Sequence, residues 1–193
     1  MIDEPVLLQR ARSGDMSAFR DIVEQNKKLV YHLAVDMMGN PGEADDISQE
    51  VFIRAYRSVG SFRGDSKISS WLYRITVNVC LDHRSRMHSK LMELREDMES
   101  AAPDNNNADY ADHPSTATEA RMIRDHVNAA LDLLTPRERS IFVLRHYHEL
   151  SMKEIAATLR VTVGTVKSTL FHAVEKLQKE LSFYRQDLGL EEK

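Results

Sequence analysis

Residues 150–177 have the sequence LSMKEIAATLRVTVGTVKSTLFHAVEKL, in which a short amphipathic segment, a three-residue break and a longer amphipathic segment follow one another. Ser151 and Glu154 have the spacing of a capping box, which predicts that a helix begins there. Thr162 can cap a second helix that starts at Val163. Two helices joined by so short a turn predict a helix-turn-helix, a motif whose second helix enters the major groove of DNA.

The two sides of this second helix differ in chemistry. At about 100° per residue its apolar residues fall within a sector of about 100°, which predicts a core-facing side. The opposite side is polar and basic, with hydroxyl groups that suit phosphates and donors that suit base edges. Such a side is more often plain solvated surface, but the capping box and Gly164 near the helix start favour DNA recognition. The predicted DNA-contacting residues are Thr165, Lys167, Ser168, Thr169, His172 and Lys176.

Composition excludes several classes of protein. The chain has 193 residues, 42% of them hydrophobic, which is enough for one ordinary domain or two small ones. It has no run of about 18 uncharged apolar residues, and its first residues carry acidic charge where a signal peptide is basic. We therefore expect a cytoplasmic protein without membrane insertion. Cys80 is the single cysteine, so neither an internal disulfide nor a cysteine-based metal site is expected.

Charge is unevenly distributed along the chain. The formal net charge of -4 divides into +1 for residues 1–90, −5 for residues 91–124 and 0 for residues 125–193. Two nearly neutral ends cannot hold DNA by bulk electrostatics. Any affinity for DNA must therefore come from local basic stripes or from a larger partner.

The periodicity predicts an all-α protein with two small helical domains joined by a flexible acidic linker. On both sides of the centre, apolar residues recur every three or four residues, without the alternating pattern of β-strands. Residues 97–119, in contrast, are acidic, contain two prolines and have no apolar period. We predict domains over 1–96 and 120–193. The predicted helices lie at about Asp3–Ser13, Met16–Met38, Glu43–Val59 and Ser70–Lys90, then at Glu119–Leu133, from Thr135 to about His148, at Met152–Leu159, and from Val163 to about Tyr184.

Two further helices carry polar groups on defined sides. In the helix predicted from Glu43, acidic and amide side chains surround the first turns, a pattern that by itself is explained by the helix dipole. In the helix predicted from Ser70, Arg74 and Asn78 stand one turn apart and form a polar ridge. Trp71 falls in the apolar line of that helix, which favours packing in the core. Direct stacking of its ring on a DNA base is the alternative.

Both halves resemble one protein family. Residues 131–178, LDLLTPRERSIFVLRHYHELSMKEIAATLRVTVGTVKSTLFHAVEKLQ, look like the fourth conserved region of the extracytoplasmic-function (ECF) sigma factors, the small two-domain group of the sigma-70 family. Residues 44–86, ADDISQEVFIRAYRSVGSFRGDSKISSWLYRITVNVCLDHRSR, are similar to the second region. Two matches in the right order are far more specific than a lone helix-turn-helix.

The resemblance implies a role in transcription initiation. The family's DDxxQExF helix docks on a coiled coil of the largest subunit of core RNA polymerase, which implies polymerase-binding roles for Asp46, Gln49 and Glu50. The fourth region recognises the minus-thirty-five promoter element, and the second recognises the minus-ten element, where a loop encloses a base turned out of the opened strand. The implied minus-ten residues are Phe62, Ser66, Lys67, Ser69, Arg74, Asn78, Arg84 and Arg86.

The implied function is that of a sigma factor for a specific promoter set, responsive to a stress or signal and held by an anti-sigma factor. No catalytic residue, cofactor or metal is expected. The chain departs from many relatives on the recognition helix, where Lys167, Thr169, His172 and Val174 stand at positions that often carry arginine. Lysine lacks the bidentate fork of arginine, so the base sequence recognised differs or DNA shape contributes more.

Two other functions are compatible with parts of the sequence. A response-regulator effector shares a similar terminal helix-turn-helix, but it would carry an α/β phosphoacceptor domain in place of the N-terminal helices. An all-α hydrolase would need histidine or carboxylate groups on a common face. His146 and His148, two positions apart on a predicted helix, point to different sides.

Overall fold

The computed structural model describes residues 4–98, 122 and 126–182, and within these it contains helices and no strand. The all-α prediction is confirmed. Apart from positions 97 and 98, the predicted linker lies outside the described residues. The predicted helix starts at Asp3 and Glu119 and the predicted helix end at Tyr184 also lie outside them. The helices are α1 (Glu4–Arg12), α2 (Met16–Met38), α3 (Pro41–Ser58), α4 (Ile68–Met98), α5 (126–132), α6 (Pro136–His146), α7 (Met152–Leu159) and α8 (Val163–Glu180), with a 3-10 turn at Val59–Ser61.

Capping explains where the first helices begin and end. The Asp15 carboxylate accepts the backbone N–H of Ser17 at 2.9 Å and so caps α2. Hydrogen bonds from Ser17 and Arg10 hold the pKa of Asp15 well below its usual range. At the other end of α2, Gly39 adopts a left-handed conformation (φ 76°) that suits glycine. Its N–H donates to Val35 O at 2.7 Å.

Two helices begin earlier than the periodicity predicts. Helix α3 starts at Pro41 rather than Glu43, because the Asn40 side chain accepts the Gly42 N–H and proline suits the first helical position. Helix α4 starts at Ile68 rather than Ser70, where the Glu4 carboxylate accepts the Ile68 N–H at 2.6 Å. It also continues to Met98, past the predicted end at Lys90.

In the first half of the chain, α2 packs against α1, α3 and α4. Trp71 is only 4% exposed and is part of this core. Its ring stacks on that of Phe62, with centroids 4.6 Å apart and planes 12° apart. The aromatic pair therefore fixes the start of α4 against the segment that precedes it. Fully buried residues here include Ile22, Leu33, Ala44, Val51 and Leu72.

In the second half, α8 packs against α6 and α7. Both predicted capping boxes are formed, Thr135 with Glu138 at the start of α6 and Ser151 with Glu154 at the start of α7. Helix α7, the turn at residues 160–162 and α8 form the predicted helix-turn-helix.

The two halves are packed on each other. Helix α6 contacts α2, helix α7 contacts α4, and a single buried cluster includes Met37 and Val77 from the first half with Ile141 and Ile155 from the second. No local pattern in the sequence predicts this contact. In the part of the chain that the structure describes, none of the helices combines the length and apolarity needed to cross a membrane.

Candidate nucleic-acid interface

Helix α8, the predicted recognition helix, has the two sides that its sequence predicts. Its buried residues are Val166, Leu170, Ala173 and Leu177. On the other side Lys167, Ser168 and His172 are exposed, and Thr165 and Thr169 are half-buried. At the helix start the Thr162 hydroxyl accepts the Thr165 N–H at 3.0 Å. The first turn is thus capped, and the side chains that follow it face solvent.

Phe171 was not among the predicted contact residues, although it belongs to the same surface. It is 66% exposed, more than any other large apolar side chain among the described residues. It lies four positions after Lys167, one helical turn further along the same side. A phenyl ring on a major-groove helix can contact the methyl group of thymine. The helical periodicity contained the signal, because Phe171 falls outside the apolar sector.

Lys176 is engaged within the protein. Its ammonium lies 2.9 and 2.8 Å from the two carboxylate oxygens of Glu138 on α6. Burial of the Glu138 carboxylate opposes ionisation, but the hydrogen bonds from Lys176 and Thr135 outweigh it, so the pKa of Glu138 is lowered. Lys176 would have to leave Glu138 in order to contact DNA, as is predicted for it.

We expect Lys176→Met to destabilise the free protein by about 1 kcal/mol, because it leaves the Glu138 carboxylate without its cationic partner. The lowered pKa of Glu138 means that the stabilisation is present above the ordinary carboxyl pKa of 4.5 and is lost as the pH falls through the folded-state value. Urea unfolding at pH 7 and at pH 3 measures both effects. The matched control is Lys179→Met, since exposed Lys179 forms no ion pair among the described residues. Equal small losses in both variants would contradict the structural role.

The loop before α4 lies against helix α1. Gly64 has φ +81°, a left-handed conformation, and a Cβ there would lie 3.2 Å from Leu8 Cδ2. Ser66 and Lys67 are exposed and Ser69 is half-buried. A cleft of about 1060 Å³ opens between this loop and α1. The loop therefore presents polar side chains to solvent at the mouth of a cleft.

Phe62 is predicted to contact DNA, but its side chain is buried in the structure. It is 8% exposed and covered by Trp71, so its ring supports the loop and does not face solvent.

The polar ridge on α4 divides into two parts. Arg74 is half-buried and Asn78 exposed, and burial together with the neighbouring Arg160 guanidinium lowers the pKa of Arg74. Further along, Arg84 turns towards the second half, where it donates to Asp132 Oδ1 at 2.9 Å, and it also donates to the Met37 carbonyl at 3.1 Å. Exposed Arg86 donates to the Asp82 carbonyl on its own helix. Arg84 is thus committed to the contact between the halves.

The three residues predicted to bind polymerase all lie on α3, but they differ in exposure and in hydrogen bonding. Asp46 and Gln49 are exposed. Glu50 is half-buried and accepts a hydrogen bond from Arg54 Nε at 2.7 Å, and Arg54 also donates to Asp82 at 2.7 Å.

An exposed apolar patch adjoins Gln49 and was missed in the sequence. Ile53 and Tyr56 are each 46% exposed, one and two turns after Gln49 on the same side of α3. Met16 from the start of α2 is 56% exposed, and together with Phe52 these residues line one shallow groove beside Gln49. We call Met16, Phe52, Ile53 and Tyr56 the α3 patch. Exposed apolar surface edged by polar groups is typical of a protein-binding site.

Comparison with family models gives two matches. The model described as Sigma-70 region 2 matches residues 22–89, and the model described as Sigma-70, region 4 matches residues 124–177. The first match contains α3 and the ridge on α4, and the second contains the helix-turn-helix.

Curated relatives match over almost the whole chain. The ECF RNA polymerase sigma factor SigW of Bacillus subtilis is 35% identical over 179 residues, which cover 90% of this chain and 94% of that protein. The ECF RNA polymerase sigma-E factor of Escherichia coli K12 is 31% identical over 184 residues, covering 93% and 95%.

Solved structures share the fold. CnrH, solved in complex with the cytosolic domain of CnrY, superposes with a TM-score of 0.66 and 23% identity over 93% of this chain and 97% of that one. RpoE of Bartonella quintana, solved with the anti-sigma factor NepR, has a TM-score of 0.60 and 21% identity over 85% and 96%. The family models and the curated relatives together show that this chain belongs to the sigma-70 family, in its extracytoplasmic-function group.

Proposed function

We propose that this protein binds core RNA polymerase in the cytoplasm and directs it to a specific set of promoters, without catalytic chemistry or a cofactor of its own. The observation that carries the proposal is the presence of two different exposed surfaces on one chain. One is the polar recognition side of α8, and the other is the α3 patch beside Gln49. The first suits DNA, and the second suits a protein.

Each half of the chain has a separate proposed role. Residues 1–96 bind polymerase through Asp46, Gln49 and Glu50, and recognise and open the minus-ten element. Residues 97–119 link the halves, and residues 120–193 recognise the minus-thirty-five element. This division is supported by the order of the two family matches.

Reconstitution tests the proposal directly. The purified chain is mixed with core RNA polymerase, the holoenzyme is isolated by gel filtration, and run-off transcription is measured on a genomic fragment library. We expect co-elution and transcripts from a small set of start sites that core enzyme alone does not produce. Core polymerase that elutes without the chain would refute the function.

We also propose that an anti-sigma factor controls this protein. The proposal is supported by the solved relatives, since RpoE was crystallised with an anti-sigma factor and CnrH with the cytosolic domain of CnrY. The chain is affinity-purified from cells grown with and without membrane or oxidative stress. We expect a bound protein partner in unstressed cells and loss of that partner from the purified sample under the activating condition.

Lys167 and Phe171 should set promoter preference at separate base positions. We expect Lys167→Ala to cost about 1–3 kcal/mol on the preferred minus-thirty-five sequence and to relax discrimination at one position, because a base-edge donor is lost. Phe171→Ala should relax discrimination at a thymine, where it removes a methyl contact. Holoenzyme titrations against single-base promoter variants measure both effects. Uniform losses on every variant would indicate phosphate contacts instead.

Asn78→Ala should reduce promoter opening more than it reduces promoter binding, because an exposed amide on the α4 ridge is placed to hold an unpaired base. Permanganate reactivity of unpaired thymines on a closed duplex should fall several-fold. A template that is already unpaired across the minus-ten element serves as the control and should largely restore reactivity. An equal loss on both templates would argue for a binding defect.

A further inference from the structure

A cleft of about 670 Å³ opens between helix α4 and the helices of the second half. A space of that size is typical of a small-molecule site. Its charged lining residues are three arginines, Arg74 on α4, Arg137 in the first turn of α6 and Arg160 just after α7. No acidic residue is among the described residues that line it. We call this space the arginine cleft, and its walls carry positive charge that no carboxylate in the lining offsets.

The three guanidinium groups have no protein partner in the part of the chain that the structure describes. None of the three forms a side-chain hydrogen bond or an ion pair with another described residue. Arg74 is half-buried, and burial together with the nearby Arg160 guanidinium lowers the pKa of Arg74. Like charges are therefore held near one another without an anion. An anionic ligand in the cleft would offset this repulsion.

Arg160 adopts a backbone conformation that favours glycine. It follows the last residue of α7 with φ 54° and ψ 48°, in the left-handed region. A residue with a Cβ is less stable there than glycine. Backbone strain of this kind clusters at functional sites. The guanidinium of Arg160, rather than the needs of the turn, therefore accounts for an arginine at this point.

The remaining lining residues suit a flat, partly apolar group. The exposed Asn78 amide offers both donors and an acceptor, the combination that recognises the edge of a base. Thr158 lines the cleft as well, and its buried Oγ1 has no hydrogen-bond partner. A ligand oxygen can supply the partner that this hydroxyl lacks. The aliphatic residues in the lining are Val77, Leu81, Leu159 and Val161.

The arrangement of charge favours a small molecule over a DNA strand. Arg74 lies on the α4 wall, and Arg137 and Arg160 lie on the opposite wall. Proteins that bind single strands use an open groove that follows the backbone. The phosphates of a strand are separated by sugars, whereas those of a nucleoside polyphosphate are linked directly to one another. Three arginines around one confined space match the second distribution of charge.

We propose that the arginine cleft binds a nucleoside di- or triphosphate, with its phosphates on Arg74, Arg137 and Arg160 and its base against the aliphatic residues beside Asn78. Arginine holds phosphate oxygens through paired, charge-assisted hydrogen bonds. The nucleotide is a ligand, and no bond in it is broken. The inference does not rest on the proposed function, because binding is a property of the free chain and is measured there.

Isothermal titration calorimetry of the full chain with ATP and with GTP, with and without Mg²⁺, tests the site. We expect one nucleotide per chain, bound about tenfold more tightly than pyrophosphate or the matching nucleoside, since each fragment fills only part of the cleft. No saturable binding of either nucleotide at about 1 mM would refute the site. Pyrophosphate that binds as tightly as the nucleotide would refute the base contacts. A short single-stranded oligonucleotide that binds more tightly than both nucleotides would make the cleft a DNA groove and overturn the proposal.

Arg160→Gly is the sharpest variant, because glycine suits the left-handed backbone and the chain should fold at least as well as wild type. We expect nucleotide affinity to fall about tenfold and the urea midpoint to stay or rise. Arg137→Gln, at an exposed residue, should weaken binding to a similar extent. The matched control is Lys153→Gln, which removes an exposed positive charge on α7 outside the cleft and should bind within about twofold of wild type. Unchanged affinity in both arginine variants would contradict the assignment.

Thiol protection then locates the bound nucleotide. Asn78→Cys places a thiol on the α4 wall, whereas native Cys80 is fully buried, and burial raises the pKa of its thiol to about 12, so Cys80 stays unreactive. The tighter-binding nucleotide at saturation should slow modification of the introduced thiol several-fold. It should leave the rate for Gln178→Cys, at an exposed position on α8, unchanged. Adding Arg160→Gly should abolish the protection. Equal rates with and without nucleotide at the Asn78→Cys position would place the ligand outside the cleft and overturn the proposal.

Discussion

Ile53→Asp should weaken binding to core RNA polymerase by about thirtyfold, or about 2 kcal/mol. Ile53 is 46% exposed in the α3 patch and is followed one turn later by equally exposed Tyr56. A carboxylate at the centre of an apolar contact loses the buried area and adds an unpaired charge, whose desolvation is costly. Competition against a fluorescent sigma factor for limiting core enzyme measures the affinity.

A matched control distinguishes a local contact from a general effect of added charge. Leu133→Asp places the same carboxylate on another exposed apolar residue, 56% exposed and in the second half of the chain. We expect that variant to bind core polymerase within about twofold of wild type. If both variants lost affinity equally, the α3 patch would not be the docking surface.

Trp71→Ala should destabilise the protein by about 3–5 kcal/mol, the range found when a large buried aromatic side chain is truncated. Trp71 is 4% exposed, and its removal also uncovers Phe62, the residue on which it stacks. Urea denaturation followed by circular dichroism measures the loss.

The conservative replacement separates core packing from contact with DNA. Trp71→Phe keeps an aromatic ring over Phe62, so promoter opening at a temperature where the variant is folded should be close to wild type. A severe loss of opening in a stable Trp71→Phe protein would mean that the indole itself contacts the opened strand.

Local signals predicted much of the fold. Both capping boxes in the second half, at Thr135 and Ser151, form as their spacing predicts, and the buried side of α8 follows the helical period. The start of α3 was missed by two residues because Asn40 caps the helix ahead of Pro41. The early start of α4 depends on Glu4, a residue 64 positions away, and no local pattern contains that contact.

The candidate site was less predictable for the same reason. Arg84 and Lys176 look like free cations in the sequence, but their partners Asp132 and Glu138 are 48 and 38 residues away in the chain. Exposed Ile53 was missed because periodicity assigns sides to a helix and does not show which apolar residues remain uncovered, whereas the exposure of Phe171 was signalled by its position outside the apolar sector of α8. The contacts of His148, just after α6, with Asp36 on α2 and Tyr73 on α4 join residues far apart in the chain, so only tertiary structure could place them.

The buried thiol of Cys80 has a consequence for the signals that this factor can perceive. Burial raises the pKa of the Cys80 thiol to about 12, which disfavours the thiolate at neutral pH, and the thiolate is the form that peroxides attack. The side chain is fully shielded from solvent, and it is the only sulfhydryl in the chain. Sulfenic acid formation on the folded factor should therefore be negligible. An oxidative signal must therefore be sensed by a group other than this thiol.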